Sequence, residues 1–188
     1  DFNYLNELRR DEALRQKTIK HGRDLVIGMV RCRIPVIAAV NGPAVGLGCS
    51  LAALSDVVYM AESAFLSDPH VSVGLVAADG GPLTWPLHTS LLLAKEYAFT
   101  GDRISAARAK EIGLANHVVP DGEVLDAAVA AARKIAALPQ QAVEATKRVL
   151  NLHLEHAVLS TIDFAMSAET ASFDTDDLRA NVAKFLGK

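Results

Sequence analysis

Gly42, Gly46 and Gly48 lie between the apolar run Ile34–Val40 and the alanine-rich stretch Cys49–Leu54. That order predicts a buried strand, a turn where backbone can come close to a ligand, and then a helix N-terminus. Such a junction turns N–H groups without intrahelical partners toward any negative charge above it. A nucleotide phosphate is one such charge, but the spacing argues against it. The glycines read G-x-x-x-G-x-G, and Leu51 stands three residues after Gly48, where a dinucleotide loop needs a small residue. Glu62, at the end of VVYMA, is the one feature in favour of a dinucleotide, and no G-x-x-x-x-G-K-[ST] loop occurs. The other charge the loop can hold is an oxyanion, the enolate or thioester oxygen of a reacting acyl group. Proton transfer to or from such a substrate needs a positioned acid or base. Asp79, just before Gly80-Gly81, stands near the start of a predicted helix, whose N-terminus favours an ionised carboxylate. A plain helix N-cap is the structural alternative for Asp79.

The elements that must position these residues alternate. Tyr4 to about Arg31 reads as one or two helices with Leu25, Val26, Met29 and Val30 on one face. Pro35 ends them and opens a strand over Val36–Val40. A helix from about Val45 to Leu54, a strand over Val57–Met60, a short strand at Phe65-Leu66 and a loop from Asp68 to Gly81 follow. Helices then run from Gly80-Gly81 through Leu87 and from Ser90 to Phe99. Ser105 caps a helix to Ile112, with Gly113 at its C-cap. A strand over Ala115–Val119 ends at Pro120, and Asp121 caps a helix to Leu138. Helices over Gln140–Leu154, Ala157–Ser172 and Asp176–Leu186 complete the chain. Strands alternating with helices and then helices alone imply an α/β core with a helical C-terminal region.

The 188 residues suit one domain, and a hydrophobic fraction of 51% with 5% aromatics suits helices packed on buried strands. A net charge of −3 and a pI near 6.1 give no reason to expect nucleic acid. Cys32 and Cys49 are too few for a disulfide framework, and Cys49 reads as a small buried hydrophobe. His153 and His156 have no second pair at metal spacing, and they read with His21, His88 and His117 as surface or contact residues, so no metal is expected. No signal peptide or membrane span is apparent, and the chain reads as soluble and cytoplasmic.

Three segments in order, PVIAAVNGPAVGLGCSLA, SDVVYMAESAFLSDPHVSVGLVAADGG and FTGDRISAARAKEIGLANHVV, resemble the enoyl-CoA hydratase/isomerase (crotonase) superfamily. The resemblance runs from about Ile34 to the C-terminus. It implies an α/β, ClpP/crotonase-type spiral core over residues 1–120 and a helical oligomerisation region over 121–188 that builds trimers, commonly paired as hexamers. It implies a role in fatty acid metabolism, with coenzyme A entering only as part of an acyl-CoA substrate and no other cofactor. The thioester oxygen would be held by the N–H of Leu47, with Gly46 and Gly48 allowing the approach. The charged N-terminal segment has no strand before it. Relative to the family, the N-terminal strands, which carry the second oxyanion N–H and much of the CoA loop, are missing, and the chain reads as a fragment, a processed product or a partial sequence.

The two glutamates of the family's hydratases map onto Ser50 and His70, and neither is a carboxylate. A hydroxyl such as Ser50 can hold water but cannot deprotonate it, whereas an imidazole such as His70 can act as a base. Dienoyl-CoA isomerases place a catalytic aspartate in the loop holding Asp79, one position earlier, at Ala78. Asp68 is a weaker candidate that reads as a solvated loop residue. One base and an oxyanion site suffice for a double-bond shift, and decarboxylation of a malonyl-type thioester needs mainly the oxyanion site. A catalytically silent CoA-binding or assembly subunit is the alternative. Phe185 and Lys188 match the family's adenine-end residues, with Phe185 as a core residue the structural alternative. Glu169 stands where the family often has a further aromatic.

Overall fold

The computed structural model describes residues 2–187. Its elements are α1 (Phe2–Arg10), α2 (Glu12–Arg31), β1 (Ile37–Val40), β2 (Pro43–Val45), α3 (Leu47–Ala53), β3 (Val57–Ala61), β4 (Phe65–Ser67) and α4 (His70–Val73). There follow α5 (Gly81–His88), α6 (Leu91–Thr100), β5 (Ile104–Ser105), α7 (Ala106–Glu111), β6 (His117–Val119), α8 (Val124–Ala136), α9 (Gln140–Ser172) and α10 (Asp176–Phe185). Two small sheets form the core. One is parallel in the order β1-β3-β6, with Ile37 opposite Val57 and Tyr59 opposite His117. The other is β2-β4-β5, parallel between β2 and β4 and antiparallel between β4 and β5.

Fully buried Met60, Leu66, Trp85 and Ile104 fill the space around both sheets. Val26 and Val30 of α2 pack with Leu54, Ala78, Ile162 and Met166 in a second cluster. That cluster clamps the loop before α5 between α2 and α9. The Ser105 cap read from the sequence is present, its hydroxyl accepting from the Arg108 N–H, and Ser90 and Thr175 cap their helices in the same way through the N–H of Leu93 and Leu178.

Four local expectations are corrected. Val45 is not helical: with Pro43 and Ala44 it pairs in register with Phe65–Ser67, so the helix begins only at Leu47. Asp121 does not cap a helix; its carboxylate accepts from the Ser63 N–H at 3.0 Å, and α8 starts at Val124. The two helices expected over Gln140–Leu154 and Ala157–Ser172 are one helix of 33 residues. Nothing between them breaks a helix, and Glu155 is held there by Arg31 and Arg148. The segment from Asp68 to Gly81 is not wholly loop, because His70–Val73 makes a helical turn ended by Gly74 at φ 99°.

Candidate active site

The glycine loop sits where two sheets meet. The Gly46 N–H donates to the Ser67 carbonyl at 3.0 Å, which ties the loop to the end of β4. Gly46 itself has φ 56°, a conformation that favours glycine, and it brings Leu47 to the head of α3. The first N–H groups of any helix lack intrahelical partners, so Leu47 and Gly48 present donors there. Leu47 keeps an exposed side chain beside them. Cys49, one turn in, is buried as expected, and burial pushes its thiol up to about 12.

Ser50 and Asp79 meet across this junction. The Ser50 hydroxyl donates to Asp79 Oδ1 at 2.8 Å, with the Gly46 carbonyl at 3.3 Å as a longer alternative acceptor. Asp79 therefore does not cap α5, whose N-cap is Gly80 without a side-chain bond. Close packing enforces the meeting: a Cβ on Gly80 would lie 2.3 Å from Ser50 Cβ. His70 comes from the other side. Its Nε2 lies 4.0 Å from Asp79 Oδ2, an ion-pair distance, and its Cε1 is 3.8 Å from where a Gly46 Cβ would stand.

Asp68 is not a solvated loop residue, which corrects the reading from sequence. Its side chain is 1% exposed, and Oδ1 accepts from His70 Nδ1. Its Oδ2 is buried without a hydrogen-bond partner, and a Cβ on Gly81 would approach it to 2.5 Å. An imidazole between two carboxylates does not behave like a free one. Burial alone pushes the His70 pKa down, but the bond to Asp68 and the charges of Asp68, Asp79 and Glu169 outweigh it and hold the ring at about 9. His70 is thus a cation at neutral pH.

Glu169 completes the cluster and was missed as a site residue. It lies on α9 one turn before Ser172, whose hydroxyl accepts from the Val76 N–H at 3.2 Å. Burial pushes its carboxyl up to about 7, helped by Asp79 and Asp68 and opposed by His70. The available signal was position: Ile162, Ala165, Met166, Glu169 and Phe173 share one helical face, and the four apolar members are buried. An acid on such a face is either paired or functional.

The proposed CoA contacts lie elsewhere. Phe185 is not a core residue; it is exposed and stacks on Phe2 with ring centroids 4.1 Å apart. Lys188 lies outside the described residues. A cavity of about 770 Å³ lies away from this cluster, between α8, α9 and residues 53–57.

The family model described as Enoyl-CoA hydratase/isomerase matches residues 3–188. A crystal structure of an enoyl-CoA hydratase/isomerase from Mycobacterium paratuberculosis shares 70% identity at a TM-score of 0.96, covering 98% of this chain and 73% of that one. The mitochondrial enoyl-CoA hydratase of Pongo abelii is 30% identical over all of this chain, which spans 63% of that relative's length. A β-diketone hydrolase from the cyanobacterium Anabaena sp. PCC 7120, bound to (S)-3-oxocyclohexyl acetic acid, superposes with a TM-score of 0.85 at 27% identity. It is covered to 70% of its length and covers 95% of this chain. The α/β core with its helical C-terminal region is accordingly the crotonase fold, and the chain belongs to the enoyl-CoA hydratase/isomerase family.

Proposed function

We propose that the protein processes acyl-CoA thioesters, holding a thioester enolate against the glycine loop while Asp79 moves a proton. The observation that carries this reading is the convergence of Ser50, Asp79 and His70 on the Gly46 turn. The N–H of Leu47 faces the developing oxyanion, with Gly46 and Gly48 leaving room for it; such a donor is worth about 10²–10³ in rate. Asp79 takes a proton from the acyl chain, and the C–H electron pair becomes the enolate. Return of a proton elsewhere on the chain moves the double bond. Ser50 orients Asp79 and holds water or substrate. His70, as a cation, faces Asp79 and balances its charge. Hydration between two flanking carboxylates has no counterpart at Ser50 and His70, so a double-bond shift is the reaction this constellation supports best.

Decarboxylation of malonyl-type thioesters would use the oxyanion site with less help from Asp79. A silent CoA-binding or assembly subunit has no need of two ionisable side chains and a hydroxyl aimed at one turn, and that convergence favours the enzyme. No metal or further cofactor is needed for the step. Phe185 and Lys188 would meet the adenine end of CoA. A cytoplasmic homotrimer, or a dimer of trimers, is part of the same reading, supported by exposed Leu92, Phe99 and Phe164.

The likeness to the β-diketone hydrolase favours a second reading. When water adds to one carbonyl of a 1,3-dicarbonyl compound, the C–C bond between the carbonyls breaks and its electron pair leaves as an enolate. Protonation of that enolate gives the ketone beside the new acid. An oxyanion site built for one enolate suits the other.

Turnover on 2-enoyl, 3-enoyl and malonyl-type CoA thioesters and on a cyclic 1,3-diketone separates these readings. Double-bond shift lost in Asp79→Asn by about 10²–10⁴-fold, with CoA thioester still bound, is the expected result. No turnover on any substrate would leave the silent binder as the answer.

A further inference from the structure

We propose that Glu169 is the second proton-transfer group of this site, the acid that returns a proton to the acyl chain after Asp79 has taken one. The inference rests on the reading of Asp79 as the base.

Its place in the fold carries the argument. Ala165 and Met166 of α9 pack in one cluster with Ala78, next to Asp79, and Ser172 binds the Val76 N–H. Glu169 lies between these two anchors on the same side of the helix, facing the segment that delivers Asp79. The charges that act on it come from across that segment: His70 on α4, Asp68 before it and Asp79 after it. Of the elements packed against α9, α5 carries His88 alone among titratable groups, at its far end. Arg15 of α2 is engaged by Asp174, just past the end of α9, at 3.0 Å. Glu169 is therefore an acid among acids with one facing cation, His70. Burial and the neighbouring carboxylates hold its proton, keeping it a substantial fraction protonated near neutrality.

The chemistry balances. Asp79 removes a proton from carbon, and the C–H pair becomes the enolate. The enolate pair then forms a new C–H bond at the distal carbon with the Glu169 proton. Asp79 is left protonated and Glu169 ionised beside the His70 cation, and exchange with solvent resets both. Two groups of the same type, set apart by environment, thus take opposite roles.

The test follows a 3-enoyl-CoA in D₂O with wild type, Glu169→Gln, Glu169→Asp and Asp79→Asn. Glu169→Gln is expected to lose net double-bond shift by at least about 100-fold. It should still exchange the hydrogen that Asp79 removes and bind the thioester with wild-type Kd, and Glu169→Asp should restore part of the shift. Double-bond shift within about threefold of wild type in Glu169→Gln would overturn the proposal. So would joint loss of exchange, shift and binding, which is the mark of a structural role. Exchange that survives in Asp79→Asn would instead remove the base beneath it, whatever Glu169 does. A wild type that neither exchanges nor turns over would remove both.

Discussion

An imidazole that faces Asp68 through one nitrogen and Asp79 through the other keeps its proton at neutral pH, and this reverses the role a free histidine would have. His70 is raised to about 9, against burial, by the bond to Asp68 and the surrounding charges. Removing the bonded carboxylate should therefore release the ring. In Asp68→Asn the His70 titration, followed by NMR of its ring protons, is expected to fall by roughly 1–3 pH units. A titration that stays near 9 would mean that Asp79 and Glu169 alone hold the proton. Ser50 is an arm for Asp79: its hydroxyl donates to Oδ1 at an Oγ–Oδ1 distance of 2.8 Å. Ser50→Ala should lower kcat while leaving KM for the thioester close to wild type, because it disorders the base without touching the oxyanion donors.

The site depends on element junctions that leave no room for side chains. α3 and α5 approach so closely that a Cβ on Gly80 would stand 2.3 Å from Ser50 Cβ and 2.8 Å from its Cα. Backbone cannot give way there as a flexible side chain could. Gly80→Ala is thus expected to cost about 1–3 kcal/mol of stability in denaturant unfolding and to separate Ser50 from Asp79. α9 works at longer range. Its Asn151 donates to the Val30 carbonyl at 2.8 Å and closes the end of α2, while Lys147 reaches Asp56 and the Ile34 carbonyl ahead of β1. The same helix delivers Glu169 two turns beyond Ile162 of the shared core. This helix was legible as two pieces, because apolar periodicity marks helical stretches but says little about whether a polar junction interrupts them. Ion pairs from Arg31 and Arg148 to Glu155 lie at that junction.

Across the whole molecule, two groups in one cluster bind protons more tightly folded than unfolded. Glu169 rises from 4.5 to about 7 and His70 from 6.5 to about 9. The stability contributed by Glu169 is full below about pH 4.5 and is lost as pH rises through about 7. That of His70 is full below 6.5 and is lost as pH rises through about 9. Tm is therefore expected to fall between pH 6 and pH 9, and the fall should flatten in a Glu169→Gln, His70→Gln double variant. Depressed carboxylates such as Asp121, held by the Ser63 N–H, act in the opposite sense in acid. At the same scale, Leu92, Phe99 and Phe164 leave large apolar surface in water. A trimer of about 60 kDa, three times 20.0 kDa, is expected in sedimentation, and a 20.0 kDa species would remove the trimer from the proposal.

The strand–glycine turn–helix junction, the alternation of strands and helices, the buried Cys49 and the absence of carboxylates at positions 50 and 70 were all determined by the sequence. They follow from local rules: apolar periodicity, glycine's conformational freedom, and which side chain occupies a motif position. Tertiary structure alone decided what Asp68, His70, Asp79 and Glu169 are. Proton affinity depends on burial and on charges brought from α4, α9 and the loop before α5, and residues 68 and 169 lie about a hundred positions apart in the chain. Asp68 read as a solvated loop residue because nothing local shows that α5 closes over it. Glu169 read as a missing aromatic because its partners are visible only once α9 crosses the loop that carries Asp79.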